Sequence, residues 1–199
     1  ANKEAVDHLG RGLELLKALP DTENNRARTL KLLNSRGPAQ SLLRGAGSAE
    51  VAGTYAEALA VADRLPESAD HFTAHWGWWF ISPDFREQER RAQHLERLAA
   101  RLDAGDLLMQ AHHCQWATQL NLGHLDACRR HIQAGLKLYE AGMRGGEIAT
   151  YGGHDPKVCG LGNAAIAAWL SGEREEARLR EAQVLAWAPQ TDHAASRVH

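Results

Sequence analysis

The chain has 199 residues, 44% of them hydrophobic and 24% charged, with a formal net charge of −2. That composition suits a globular chain able to bury a core, and the charge gives no electrostatic case for nucleic acid or an anionic membrane as a partner of this segment. Three cysteines, Cys114, Cys128 and Cys159, form an odd set in apolar surroundings, which suits a reducing cytoplasm better than a disulfide scaffold. No run reaches the ~18 apolar residues that cross a bilayer. The N-terminal stretch lacks the basic region and apolar core of a signal peptide, so a cytoplasmic location away from the membrane is expected.

Apolar residues recur at helical spacing along almost the whole chain. Leu9, Leu13, Leu16 and Leu19 mark a first helix, ended by Pro20-Asp21. Ala27, Leu30 and Leu33 mark a second that should be disturbed at Gly37-Pro38. Val51, Tyr55, Ala58, Leu59, Ala62 and Leu65 mark a third, stopped before Pro66. A fourth is centred on "HWGWWF", His75 to Phe80, which holds three of the six tryptophans. Ser82-Pro83-Asp84 turns it into a fifth carrying Leu95, Leu98 and Leu102. Residues 111–122 and 127–139 follow as a pair split by Gly123, and 158–170 and 175–187 as a pair split by Ser171-Gly172. Sustained alternation is absent and β-branched residues are few, so the expected fold is all-α, with seven to nine helices in antiparallel pairs.

The last two pairs share a layout: helix, glycine, a small residue five positions on, then a second amphipathic helix. Gly123 leads to Cys128 and Gly172 to Ala177. The glycine serves the tight turn and the small residue lets the helices approach closely. Helix–turn–helix units of ~34 residues read as a solenoid repeat.

In this layout the chain resembles tetratricopeptide repeats (TPR). The resemblance puts Ala165 and Ala177 at the small positions around Gly172 and Pro189 at the closing proline. It puts Gly77 at the small position of the tryptophan segment. In the repeat around Gly123, Trp116 falls where a small residue belongs, and should force the helices apart or fill a local groove. A narrower likeness spans roughly residues 50 to 195, through "EVAGTYAEALAVADRL", "HWGWW", "AGDLLMQAHH", "LGHLDACRRHIQAGLKLY" and "YGGHDPKVCGLGNAAIAAWLSG". These segments look like the repeat region of large bacterial signalling proteins that carry an adenylate/guanylate-cyclase-like or DNA-binding module with a STAND-type ATPase. The resemblance implies a right-handed TPR-like solenoid and a regulatory, partner-binding segment cut from a longer polypeptide. Residues 1–199 would form one such domain, with a protein or peptide partner, or an attached ATPase or cyclase module, seated on it. The phosphate-binding G-x-x-x-x-G-K-[ST] of an ATPase does not occur, and "TDHAASRVH" reads as the opening of another helix.

Eleven histidines raise the question of metal. His124, Cys128 and His131 have helical spacing, but Gly123-His124 belongs to the turn, so they do not share a face. His112, His113 and Cys114 are consecutive and point in different directions. Zinc sites take converging ligands, usually from closely spaced pairs, and neither C-x-x-C nor H-E-x-x-H occurs. No metal and no cofactor are expected. Gly123 and Gly172 stand further apart than one repeat of ~34 residues, by about fifteen. The extra length falls in a loop over 142–156, of the kind that is often functional. Within it His154-Asp155 has the look of an acid–base pair, yet Asp155 before Pro156 is better read as a helix N-cap with proline at the first helical position. Cys159 then falls on the opening turn, where a thiol pKa can be lowered, though a small buried residue is the simpler reading. No nucleophile has a base and an orienter beside it, so no enzyme is expected.

On a helix, Phe72, Trp76, Trp79 and Phe80 share one apolar face and should be core. Trp78 points elsewhere. In the repeat frame it faces a concave groove, together with His71, His113, Asn121 and Trp169, and these five are the expected partner-binding residues. The other reading is a small-molecule sensor whose pocket lies near the tryptophans and the 142–156 loop. An open groove across repeats would favour the first, an enclosed apolar pocket the second.

Overall fold

The computed structural model describes residues 2–146, 150–191 and 193–197. Among them it shows nine α-helices and no strand. The helices are α1 (Asn2–Lys17), α2 (Glu23–Arg44), α3 (Ala49–Ala62), α4 (Ala69–Phe80), α5 (Phe85–Arg101), α6 (Gly105–Asn121), α7 (Leu125–Glu140), α8 (Pro156–Leu170) and α9 (Arg174–Trp187), with short 3-10 turns at Ala188–Gln190 and Ala194–Arg197. The expected all-α chain of consecutive packed helices is what forms. Where the sequence reads as one repeat domain over residues 1–199, the contacts divide it into two compact units, Ala1–Pro83 and Asp84–His199.

Side-chain oxygens set several of the helix starts. Thr22, Ser48 and Asp84 accept from the backbone N–H three residues on, at 3.3, 3.4 and 2.8 Å, satisfying donors that have no partner inside the helix. The stops in the second unit share one device. After α6 and α8, Gly123 (φ 76°) and Gly172 (φ 80°) take the left-handed conformation. The next N–H then reaches back five residues, His124 to the Gln119 carbonyl and Glu173 to the Ala168 carbonyl, both at 2.9 Å, which is the Schellman closure. A Cβ at either glycine would meet nothing within 4 Å, so the turn selects glycine for its φ, not for space. Asp103 (φ 48°) holds the same seat after α5, with Ala104 N donating to the Ala99 carbonyl at 3.4 Å.

In the first unit, α1 packs on α2, α2 on α3, and α4 on both α3 and α2. Leu13, Leu30, Leu33, Ala58, Ala62 and Ala74 form the core. Helix α2 continues through Gly37-Pro38 and is not broken there. Proline removes one helical hydrogen bond, but the neighbouring helices hold both sides of the site. The Asn34 side chain donates to the Asp70 carbonyl of α4 at 3.0 Å, and the buried ring of Tyr55 fills the notch that Gly37 leaves. That ring also lies on Gly77 of α4, where a Cβ would come within 1.8 Å of it.

In the second unit, each of α5 to α9 packs on the next, and α6 also touches α8. Met109, Trp116, Cys128, Ile132, Tyr139, Cys159 and Ala167 form its core. Trp116 neither forces helices apart nor fills a surface groove: it is fully buried. The room comes from across the interface, since a Cβ at Gly135 of α7 would sit 2.5 Å from Trp116 Cζ3. Here the first helix supplies the large residue and the second supplies the glycine, the reverse of the expected size pattern.

Candidate functional site

The five expected groove residues fall in both units and differ in exposure. In α4, Phe72, Trp76 and Trp79 are buried and Trp78 is half-buried, as the helical spacing requires. Phe80 departs from the expectation, standing exposed at the end of α4 and stacked on Trp76 with ring centroids 5.6 Å apart. His71 lies inside the first unit, its Nδ1 3.2 Å from Ser68 Oγ. In the second unit His113 is also buried, whereas Asn121 is exposed. Trp169 of α8 is 60% exposed. Burial takes the His71 and His113 rings out of reach of a docking protein and leaves Trp169 as the prominent surface aromatic of the set.

Trp169 does not stand alone. Ile166 and Leu170 are 50% and 61% exposed, and Trp169 and Leu170 follow Ile166 by three and four residues, which puts the three on one helix face. Ala164 and Ala168, on the opposite side of α8, line a cleft of about 1080 Å³ with Arg129 and Lys137 of α7, Glu173 at the start of α9 and Arg180 within it. The cleft is open to solvent and carries both signs of charge. A smaller opening of about 340 Å³ lies beside Trp187, and one of about 820 Å³ lies among α1, α2 and α3 of the first unit. None of these three is lined by an α4 tryptophan or by a residue of the 142–156 loop.

The loop itself is tied down where it is described; residues 147–149 lie outside the described set. Gly145 N donates to Asp106 Oδ1 and the Gln110 side-chain amide donates to the Gly145 carbonyl, each at 2.9 Å. Gly145 has φ 77°, a backbone conformation that selects glycine. At the loop's end Asp155 is the N-cap of α8 with Pro156 at the first helical position, as its sequence context indicates. The carboxylate is buried and accepts four hydrogen bonds: Lys157 N and Val158 N at 3.0 Å, Tyr139 Oη at 2.6 Å and Trp187 Nε1 at 3.3 Å. Its own N–H donates to Ser196 Oγ at 2.8 Å. Burial, reinforced by this carboxylate, pushes the Tyr139 hydroxyl up to about 12. Asp155 therefore locks α7, α8 and α9 together, a structural role that leaves it no part as one half of an acid–base pair.

The consecutive residues His112, His113 and Cys114 diverge as expected. His112 turns to His131 of α7, Nδ1 to Nδ1 at 3.0 Å; His113 turns to His154, Nε2 to Nε2 at 3.3 Å; Cys114 is buried. His124 precedes α7, with Nδ1 2.9 Å from Gln119 Oε1, and does not meet His131. Desolvation, with the second imidazole close by, lowers the His112 pKa, and desolvation lowers that of His131. Burial pushes the Cys159 thiol up to about 11, so it is no activated nucleophile despite its place on the opening turn of α8. Two groupings invisible from local spacing emerge: Glu96, His112 and His131, which are half-buried, and His113, His154 and Cys159, of which the first and last are buried. The residues of the second grouping are far apart in sequence, and only the loop's return to α6 brings them together.

No family model matches the chain, and no solved structure matches it. An uncharacterized protein of Rhizobium meliloti (strain 1021) is 31% identical over 198 residues, covering 98% of this chain. The chain spans 19% of that relative's length. Among the described residues no helix is long and apolar enough to cross a membrane.

Proposed function

We propose that the chain is a non-enzymatic, TPR-like interaction segment that docks an amphipathic helix of a protein partner, and that it serves as the regulatory part of a longer bacterial signalling polypeptide with an ATPase or cyclase module. The observation that carries this reading is the exposed Ile166–Trp169–Leu170 stripe on α8. Tryptophan is the residue most favoured as a binding anchor, and an apolar stripe of this width matches the apolar face of a partner helix. The cleft on the opposite side of α8 sets Arg129, Lys137, Arg174 and Arg180 against Glu140, Glu173, Glu175 and Glu176, which gives no preference for a polyanion. The chain spans 19% of a Rhizobium relative, which fits the part of the reading that makes it a segment of a longer polypeptide. The sensor alternative draws no support from these three clefts, which are open and are lined by neither an α4 tryptophan nor a residue of the loop.

The test is a selection from a library of helical peptides on the purified chain, followed by affinity measurement. Trp169→Ala should weaken the selected peptides by roughly 30-fold or more, the loss expected of a hot-spot aromatic, while leaving the thermal midpoint unchanged. Peptides that bind the variant as tightly as the parent would overturn the assignment.

A further inference from the structure

His113 comes from the middle of α6, His154 from the turn ending the 142–156 loop, and Cys159 from the first turn of α8. One ligand atom from each lies within 4.8 Å of the others. The protonation of the two rings follows from their Nδ1 partners. Gln110 Nε2 donates to the Gly145 carbonyl, which fixes the amide with Oε1 towards His113 Nδ1 at 3.0 Å. That oxygen accepts, so His113 Nδ1 bears the proton. His154 Nδ1 lies 3.1 Å from the Gly152 carbonyl, which also accepts, so His154 Nδ1 bears its proton too. The two Nε2 atoms then face each other at 3.3 Å.

Three potential ligand atoms converge there, and the spacing of the two nitrogens fits a coordinated cation. Two zinc–nitrogen bonds of ~2.0–2.1 Å at a tetrahedral angle place their nitrogens about 3.3–3.4 Å apart. Imidazoles that donate Nδ1–H to a carbonyl oxygen and present Nε2 are the usual oriented ligands of such a site. Cys159 Sγ accepts from Asn163 Nδ2 at 3.3 Å, and a bound divalent ion deprotonates a coordinating thiol outright. We propose that His113 Nε2, His154 Nε2 and Cys159 Sγ form a three-ligand site for a thiophilic divalent cation of the zinc class, the fourth position being left to water or an exogenous donor. The site explains why the loop is stapled to α6 through Asp106 and Gln110: the staple carries His154 to His113 and orients His113 at the same time. The Asp155 cap, one residue beyond His154, holds the other end. The second grouping differs, since His112 and His131 meet Nδ1 to Nδ1 at 3.0 Å, where one ring simply donates to the other, and it serves as the control.

The test uses the purified chain, stripped by chelator and titrated with Co(II) and then with Zn(II). The parent should show the visible bands of tetrahedral cobalt and a near-ultraviolet thiolate-to-cobalt charge-transfer band, both displaced by equimolar zinc. Cys159→Ser should remove the charge-transfer band. Gln110→Ala should weaken cobalt binding roughly 10–100-fold by freeing the His113 ring, and His154→Gln should weaken it at least as much. His154 is only half-buried, so His154→Gln spares the core, and unchanged helicity by circular dichroism separates loss of a ligand from loss of fold. His131→Gln should change nothing. Absence of the charge-transfer band in the parent, its persistence in Cys159→Ser, or loss of cobalt binding in His131→Gln would each overturn the site. The first outcome would mean that a shared proton, not a metal, joins the two rings.

Discussion

Replacing Gly77 by alanine tests the packing of the first unit at its tightest point. An ideal Cβ there lies 1.8 Å from Tyr55 Cε1, 2.4 Å from Cζ and 2.5 Å from Cδ1, against the ~3.5–4.0 Å at which carbon atoms rest. The ring cannot retreat freely, because Gly37 holds its other side, where a Cβ would fall 2.4 Å from Cζ. Overpacking of a filled site costs about 1–3 kcal/mol, and a clash this deep belongs at the upper end. Alanine returns about 1 kcal/mol through helix propensity, leaving a net loss of about 2 kcal/mol. Gly53 of α3 supplies the internal control, since a Cβ there meets nothing within 4 Å and Gly53→Ala should stabilise by about 1 kcal/mol. With a urea slope of ~2 kcal/mol per molar, circular dichroism should show the Gly77→Ala midpoint falling by about 1 M and the Gly53→Ala midpoint rising. Tyr55→Leu should reduce the cost of Gly77→Ala in a double-mutant cycle. A Gly77→Ala midpoint at or above that of Gly53→Ala would refute the glycine–tyrosine account.

Trp79→Ala should cost roughly 3–5 kcal/mol by emptying a buried volume, and Trp78→Ala much less because Trp78 is half-buried; equal urea midpoints would show that both faces of "HWGWWF" are core. Asp155→Ala should cost about 3 kcal/mol, from loss of the cap and of the partners of buried Tyr139 and Trp187, while Asp155→Asn, which keeps a capping oxygen, should cost less. The Tyr139 hydroxyl titrates at about 12 in the fold against an ordinary 10.0. Because the folded value is the higher, its contribution to stability is present in full below pH ~10 and is lost as pH rises towards 12. Alkaline urea titrations should show that loss, and Tyr139→Phe should make it shallower.

Much of the fold is legible because it is written locally. Helical spacing, the glycines at Gly123 and Gly172, and the Asp155-Pro156 start each depend on residues within one turn of one another. The helix through Gly37-Pro38 is not legible in this way, because what holds it is Tyr55 of α3 and the Asp70 carbonyl of α4. Trp116 misleads for the same reason: its space comes from Gly135, a residue of the facing helix whose partner no local pattern names. Register alone puts His71 and His113 on a groove, and register does not report burial. The His113–His154–Cys159 grouping is the extreme case, since its members share no motif and meet only through a loop whose anchors, Asp106 and Gln110, look like ordinary polar residues of a helix.

The most direct test of the functional reading is a map of where a selected helical peptide touches the chain, read from amide and indole chemical shifts in an isotope-labelled sample. The account predicts that the largest changes fall on Ile166, Trp169 and Leu170, with the Trp169 indole N–H among the most displaced. Changes centred instead on the α4 tryptophans or on the 142–156 loop, with the Trp169 indole unmoved, would contradict it.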